Sequence, residues 1–278
     1  MSAPGEYGFK WVGHRGFPEN FPENSLPGML AALQKGANGL EFDVQLSADG
    51  ELVVIHDDNL KRVAGIDRNV AELNVHELAD ISVHEPLRFG RRFEPTPLLS
   101  LHQFCLELSR SEAMLSAAKG PFPGGSQNQN WPLIFVEIKS SVFKSISYRQ
   151  CIEKLLPAIH CLQKHCVVIS FDLDFIRAVQ QQINLPVGWV LEKYSKDSLS
   201  RVQNAPVDFL IGDFKKLPKE GGLWPGAWQW FVYDIVKKED LIKCLDLGVS
   251  WIETWNVEAM VTIGSQLPKG LQRPRDGK

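Results

Sequence analysis

Two histidines stand 42 positions apart: His14 in Val12-Gly13-His14-Arg15-Gly16, and His56 in Val53-Val54-Ile55-His56-Asp57. Between them Glu41 and Asp43 are separated by one residue, and Glu137 and Lys139 repeat that spacing farther on. On an extended strand residues i and i+2 share a face, so each pair projects to one side while Phe42 and Ile138 project to the other. Glu41, Asp43 and Glu137 gathered at one place repel strongly unless a cation lies among them. Oxygen-only ligation suits Mg²⁺ or Ca²⁺. Arg15 and Lys139 supply the opposite requirement, donors for a phosphate anion. A pair of histidines accepts and donates protons near neutral pH. Cation, phosphate clamp and acid–base pair together specify cleavage of a phosphodiester. Each piece alone has an ordinary structural explanation, and it is the convergence of seven residues that carries the inference.

The surrounding pattern says how they meet. Residues 9–13 read as a short buried strand ending at His14. Ser25 can cap a helix with Leu26, Met29, Leu30 and Leu33 at helical spacing and Gly36 as its stop. Strands follow at 39–44 and 52–55 around the turn Ser47-Ala48-Asp49-Gly50, joined either as a hairpin or by a bare loop, because the link is too short for a helical crossover. From residue 133 the pattern is regular. Strands at 133–138, 166–170, 187–191, 207–211, 228–233 and 249–253 alternate with helices at 145–164, 173–182, 196–203 and 237–246. Such alternation indicates parallel βα units, and the chemistry falls at strand ends, where a (β/α)8 barrel carries its active site. The expectation is one catalytic (β/α)8 domain, an α/β TIM barrel spanning 1–278. Nine strand candidates compete for eight places, so one strand is false or lies outside the barrel.

Residues 57–132 form a long excursion between the third and fourth strands, with helices expected at 75–81 and 99–108 and a loop at 117–131. It is either surface decoration or a lid. The polar tail 264–278 is expected to fray.

Bulk properties narrow the function. A chain of 278 residues, 44% hydrophobic and 23% charged, is an ordinary globular protein. A net charge of −3 offers no field for nucleic acid. The first ten residues contain no apolar secretory segment, and no run of about 18 apolar residues marks a transmembrane helix. Five widely spaced cysteines read as free thiols of a reducing cytoplasm. Nothing in the sequence specifies an oligomeric state.

The motifs resemble one known family, the glycerophosphodiester phosphodiesterases. The resemblance lies in Gly13-His14-Arg15-Gly16, Pro22-Glu23-Asn24-Ser25, Gly39-Leu40-Glu41-Phe42-Asp43-Val44, Asp49-Gly50, Val53-Val54-Ile55-His56-Asp57 and Val136-Glu137-Ile138-Lys139, and more faintly in Ser170-Phe171-Asp172. Its strong part covers 11–63 and 133–139. It implies a (β/α)8 barrel that hydrolyses a small-molecule glycerophosphodiester to glycerol 3-phosphate and an alcohol. His14 and His56 would match the acid–base pair, Glu41, Asp43 and Glu137 the ligands of a divalent cation, and Arg15 and Lys139 the phosphate-binding positions. The family mechanism implies attack by the substrate's own glycerol hydroxyl and a cyclic phosphate that water then opens. Asn24 is expected to hold its loop or touch the site's edge.

Departures fall near the rim. Ser25 stands where the family usually has Thr. Tyr233-Asp234-Ile235-Val236 replaces a Trp-Thr-Val-Asn run, and Thr254-Trp255-Asn256 replaces a Thr-Asp ending. They leave the alcohol specificity open. Phe171, Trp189, Tyr233 and Trp255 are the candidate pocket-rim residues. Two other activities suit the same barrel: a lysophospholipase D, which calls for an apolar groove, and a cyclising enzyme that stops at the cyclic phosphate. A non-catalytic binding barrel is the reading from a different class. His160-Cys161 and His165-Cys166 lack the spacing of a zinc finger and read as packing. Trp224, Trp228 and Trp230 read likewise, and His76, His84 and His102 carry no assigned role.

Overall fold

The structure, a computed structural model, describes residues 8–117, 132–218 and 220–268. The expected loop at 117–131 and the end of the expected tail lie almost entirely outside them. Among the described residues nine strands form: β1 (Lys10–Gly13), β2 (Gly39–Leu46), β3 (Leu52–Val54), β4 (Leu133–Ile138), β5 (Cys166–Ser170), β6 (Val187–Val190), β7 (Phe209–Asp213), β8 (Gln229–Tyr233) and β9 (Trp251–Thr254). Eight are parallel neighbours in the ring β1-β2-β4-β5-β6-β7-β8-β9, and β1 closes it by pairing with both β9 and β2. The ninth, β3, lies outside the ring and pairs antiparallel with β2, with Val44 opposite Val54. The two segments around Asp49-Gly50 are therefore a hairpin, and the excursion falls between the second and third staves of the barrel.

Alternation along the strands builds two cores. Leu40, Phe42 and Val44 on β2 and Ile134, Val136 and Ile138 on β4 face the helices and join the large outer core. Val12, Phe135, Val167, Ile169, Val190, Phe209, Ile211, Phe231 and Trp251 point inward and fill the lumen. Phe135 makes edge-on contacts with Phe209, Phe231 and Trp251 at ring separations of 5.2, 4.8 and 5.3 Å. Such pairs add about 0.5–1.5 kcal/mol each beyond area burial, so the floor beneath the site is closely packed.

The first helix, Leu26–Gln34, starts where Ser25 Oγ accepts the Gly28 N–H, and its chain leaves through Gly36 at φ 98°. The helix Leu101–Arg110 buries Leu101, Phe104, Cys105 and Leu108, the i, i+3, i+4, i+7 stripe of a barrel helix. Between β3 and that helix the excursion folds on itself. Leu60, Val63, Val70, Leu73, Leu78, Val83 and Leu98 make a small separate core with Val53 and Ile55 of the hairpin. Its short helices include Lys61–Ala64, Val75–Ala79 and Pro86–Phe89.

Two expectations need correction. The single helix over 145–164 is an α-helix, Tyr148–Ile159, followed by a 3-10 turn, His160–His165. The tail does not begin at 264. A last barrel helix, Val257–Ser265, buries Val257, Met260 and Gly264, and Leu267 beyond it is also buried. Its β-branched residues and glycine are weak helix formers. Packing decides the matter: Val257, Met260 and Gly264 are buried against the barrel, and a Cβ on Gly264 would make a tight contact 3.1 Å from Trp11 Cζ2.

Candidate active site

The loop after β1 carries His14 and Arg15 and is shaped by glycine. A Cβ on Gly13 would stand 2.4 Å from Gly16 O, and one on Gly16, at φ 89°, would stand 2.7 Å from the Gly28 backbone. The loop thus turns tightly against the first helix. Arg15 and Asn24 take left-handed backbones, each at φ 53°, a strain that non-glycine residues bear only where surrounding contacts hold them. Those contacts are site residues. Arg15 N–H donates to Glu41 Oε2 at 3.0 Å. Asn24 clamps Asp43 from both sides: its amide donates to Oδ2 at 2.9 Å, and its Oδ1 accepts the Asp43 N–H at 3.1 Å.

Glu41, Asp43 and Glu137 come together at the mouth of the lumen, each offering an oxygen within 4.8 Å of the others. Asp43 lies beside Glu137 in the β2–β4 register. Lys139 Nζ lies 2.8 Å from Asp43 Oδ1 and 2.5 Å from Glu137 Oε1, and Arg15 Nε lies 3.0 Å from Asp43 Oδ2. Burial alone would raise the Asp43 pKa, but Lys139, Arg15 and His56 overcome it and hold the carboxyl far below its ordinary range. The same charges work in reverse on the cations. Despite burial, Asp43 and Glu137 keep the Lys139 ammonium above its usual value, and Asp43, Glu23 and Glu41 do so for Arg15.

Glu41 is different. It is 2% exposed, and its Oε1 has no hydrogen-bond partner. Burial and the neighbouring charges of Asp43 and Glu137 push its pKa well up. Glu253, on β9 two residues after the inward-facing Trp251, shares that condition. It is 3% exposed, its Oε1 is unpartnered, and burial with the charge of Glu41 raises its pKa well above normal. It was not among the residues singled out from sequence. The signal was available: Trp251-Ile252-Glu253-Thr254-Trp255 has the same i, i+2 spacing that exposed Glu41 and Asp43.

The two histidines flank this group. His56 reaches the mouth because β3 runs back along β2, with Ile55 N–H donating to Asp43 O at 3.0 Å. Its Nδ1 lies 2.6 Å from Asp57 Oδ1, and Gln45 holds its backbone carbonyl at 2.9 Å. Asp57 in turn accepts from Arg62 Nε at 2.6 Å, and Arg62 forks onto both oxygens of buried Glu23 at 2.7 Å each. The hydrogen bond from His56, ahead of the Arg62 charge, sets the Asp57 pKa well below normal despite partial burial. Glu23 also takes Arg15 at 3.2 Å, so one chain of ion pairs ties the hairpin to the β1 loop. Glu85 adds to it by accepting the Glu23 N–H at 2.7 Å, and Arg88 by donating to Pro18 O.

His14 Nδ1 lies 2.6 Å from Asp234 Oδ1 and also accepts the Trp255 indole N–H at 2.7 Å. One ring nitrogen serves only one of them at a time. With its proton on Nδ1 it donates to Asp234; with the proton on Nε2 it accepts from Trp255. Nε2 points inward, 3.9 Å from Glu41 Oε2.

Three of the four rim candidates reach the mouth. Phe171 and Tyr233 pack on the lumen core, and Trp255, 48% exposed, stands with its ring 6.3 Å from His14. Trp189 does not. Gly188 and Val190 take the inward positions of β6, so alternation turns Trp189 outward into the helix-facing core, 3% exposed and with Arg201 over its ring. Of the residues set aside, His165 Nδ1 contacts Pro132 O at 3.0 Å, Cys166 is buried and Trp224 stacks on Tyr194, whereas His160 and Cys161 are exposed rather than packed.

A model of the glycerophosphoryl diester phosphodiesterase family matches residues 14–212. The chain belongs to that family. It is accordingly an enzyme, a phosphoric diester hydrolase. A glycerophosphodiester phosphodiesterase from Caldanaerobacter subterraneus subsp. tengcongensis is 24% identical over 262 residues, 91% of this chain and 96% of the relative. One from Bacillus altitudinis is 45% identical over 69 residues, 25% of this chain and 28% of the relative. Solved structures share the barrel. A glycerophosphodiester phosphodiesterase from Agrobacterium tumefaciens superposes with a TM-score of 0.67 at 19% identity, covering 91% of this chain and 99% of that one. An Oleispira antarctica phosphodiesterase, solved with its product sn-glycerol-3-phosphate, gives 0.73 at 15% identity over 92% and 97%.

Proposed function

We propose that the protein hydrolyses glycerophosphodiesters to glycerol 3-phosphate and an alcohol in a reaction that requires a divalent cation. The observation that carries this is the meeting of Glu41, Asp43 and Glu137 at the barrel mouth, between two carboxylate-backed histidines and beside Arg15 and Lys139. The donor set fits a hard cation such as Mg²⁺ or Ca²⁺: it is all oxygen, and Glu41 Oε1 is buried without a partner. Bound there, the ion would offset charge on the phosphoryl oxygens and ease ionisation of the attacking hydroxyl.

The chain's own residues do the rest. Lys139 uses two of its three donors on carboxylates, and Arg15 has five in its fork, so both retain N–H groups for the phosphate. One histidine takes the proton of the substrate's glycerol hydroxyl as that oxygen attacks phosphorus. The other protonates the departing alcohol oxygen, leaving a cyclic phosphate. The roles reverse when water opens the ring. Asp57 and Asp234 stand 2.6 Å from the Nδ1 atoms of His56 and His14 and would stabilise the two imidazoles when protonated.

A cleft of about 490 Å³ adjoins the site, lined by Gln45, His56, Asn59, Arg62, Lys139 and Ser141 among others. Its wall on the hairpin side belongs to the excursion, to which we assign the contact with the departing alcohol. The polar lining favours a small polar head group over the acyl chain of a lysophospholipid. No helix among the described residues is long and apolar enough to cross a membrane. The five cysteines are free and four are buried, which suits work in a reducing compartment such as the cytoplasm.

The test is release of glycerol 3-phosphate from glycerophosphocholine and glycerophosphoethanolamine, followed by phosphorus NMR with and without EDTA. Wild type releases it only with the cation, and His14→Ala or His56→Ala slows release by about 10²–10⁴-fold. Release that is indifferent to EDTA, or at the wild-type rate in His14→Ala, overturns the mechanism. An end product that remains cyclic would make this the cyclising enzyme, and no turnover of any diester would favour a binding barrel.

A further inference from the structure

Glu253 has no task in the chemistry above, yet it is one of the most buried carboxylates of the molecule. It stands on β9 opposite Val12 of β1, at the same mouth as Glu41. Each of these glutamates leaves one buried oxygen without a hydrogen bond, a strongly unfavourable condition for an ionised group unless something cationic meets it. The two nearby cations are engaged elsewhere: Lys139 with Asp43 and Glu137, Arg15 with Asp43 and Glu23.

A histidine nitrogen does face the pair. His14, Glu41 and Glu253 each offer one ligand atom, all within 4.8 Å of one another, and His14 Nε2 is 3.9 Å from Glu41 Oε2. Ligands about 2.0–2.2 Å from a common ion stand roughly 3–4 Å apart, so small side-chain adjustments would bring these three onto one ion. A separate feature points the same way. Asp234 Oδ1 is buried, lacks a hydrogen bond of good geometry, and lies 2.6 Å from His14 Nδ1. A histidine that binds a metal through one nitrogen gives the N–H of the other to such a carboxylate, which fixes its tautomer and orientation.

We propose that His14, Glu41 and Glu253 form a second cation seat, for a borderline ion such as Zn²⁺, beside the oxygen-only seat and sharing Glu41 with it. One imidazole nitrogen with two carboxylates suits Zn²⁺, whereas the neighbouring all-oxygen set suits Mg²⁺ or Ca²⁺. An ion in this seat holds the Nε2 lone pair and so takes His14 out of proton transfer. The seat is therefore inhibitory: Zn²⁺ arrests an enzyme that the harder ion supports. The inference rests on the phosphodiesterase reading only for this consequence; the seat itself stands on the three side chains.

The experiment follows the imidazole nitrogens of the full-length protein by ¹⁵N NMR, with saturating Mg²⁺ present, as Zn²⁺ is added. A Cys161→Ser background keeps that exposed thiol from competing. The His14 Nε2 resonance, identified by its loss in His14→Gln, shifts saturably, and Zn²⁺ inhibits hydrolysis over the same range. Glu253→Gln weakens Zn²⁺ binding by about tenfold or more, moves the inhibition by the same factor, and retains Mg²⁺-dependent hydrolysis. A His14 resonance that Zn²⁺ leaves unmoved overturns the proposal. So does unchanged Zn²⁺ affinity in Glu253→Gln. Should that variant not fold, the wild-type titration decides alone. A His14 shift in a protein that hydrolyses no diester keeps the seat and removes the phosphodiesterase reading; hydrolysis without the shift does the reverse.

Discussion

The two sides of the barrel mouth carry buried carboxylates of opposite electrostatic standing. On one side Asp43 is met by Lys139, Arg15 and Asn24, and Glu137 by Lys139. On the other, Glu41 has only the Arg15 N–H, and Glu253 faces Glu41 with an unpartnered oxygen. The first side is compensated within the chain. The second is left short of positive charge. The metal seat draws on both: Glu41 brings the uncompensated carboxylate, whereas Asp43 and Glu137 share their oxygens with Lys139 and Arg15. The difference shows where the molecule gives up stability to keep a binding site open.

Several experiments would break or sharpen that contrast. The largest effect is expected from Lys139→Met, which leaves Asp43 and Glu137 without their ammonium. It should lower unfolding free energy in EDTA by about 3–5 kcal/mol, read from urea titration, and hydrolysis should fall with it. A loss within a few tenths of a kcal/mol would mean that Asp43 is not compensated as described. Next comes cation addition to wild type. An ion present at about 100 times its Kd should add about 2.7 kcal/mol, seen as a rise in Tm, and Glu41→Gln should shrink the rise. Glu253→Gln should act with the opposite sign to Lys139→Met. Removing an unsatisfied buried carboxylate should stabilise the metal-free protein by about 1–3 kcal/mol.

The same contrast sets a pH dependence. Asp43, with its pKa depressed by folding, contributes stability that is full above its unfolded value near about 3.9 and is lost as pH falls below it. Glu41 and Glu253 have raised values. Their penalty is absent below the unfolded value near about 4.3 and grows as pH rises toward the folded one. Metal-free protein should therefore gain stability as pH falls toward about 4.3 and lose it below about 3.9. Glu253→Gln should flatten the upper part of that curve in a Tm-against-pH series, and a wild-type curve already flat there would remove the argument. The smallest effect belongs to Arg62→Ala. Arg62 is 44% exposed in its side chain, so its pairs with Glu23 and Asp57 are worth about 1 kcal/mol or less. The expected readout is a higher KM from a loosened hairpin, with little change in Tm.

The residues that meet at the mouth were mostly legible in the chain because strand periodicity is strict. Alternation placed Glu41 with Asp43 and Glu137 with Lys139 on one face, and the motif order brought out His14 and His56. The same rule applied to β9 would have found Glu253. It did not, because a lone glutamate between tryptophans carries no motif and only its neighbours across the barrel give it meaning. Trp189 illustrates the converse: proximity to a strand end suggested the rim, while the phase of alternation on β6 turned it into the outer core. The last helix, Val257–Ser265, was illegible because its local propensity is poor and its stability comes from contact with Trp11.

By itself the sequence determined the alternation of strands and helices, the reaction class implied by seven side chains, and the turn at Asp49-Gly50. These are local properties, set by period, backbone sterics and residue type. Closure of the ring decided the rest. It put β9 next to β1, and with it Glu253 and Asp234 beside His14; it left β3 outside as the strand that returns His56 to the mouth; and it allotted both nearby cations to the Asp43 side. Contacts between residues some 240 positions apart, such as Trp255 with His14, depend on how many staves complete the barrel, and no local pattern encodes that number.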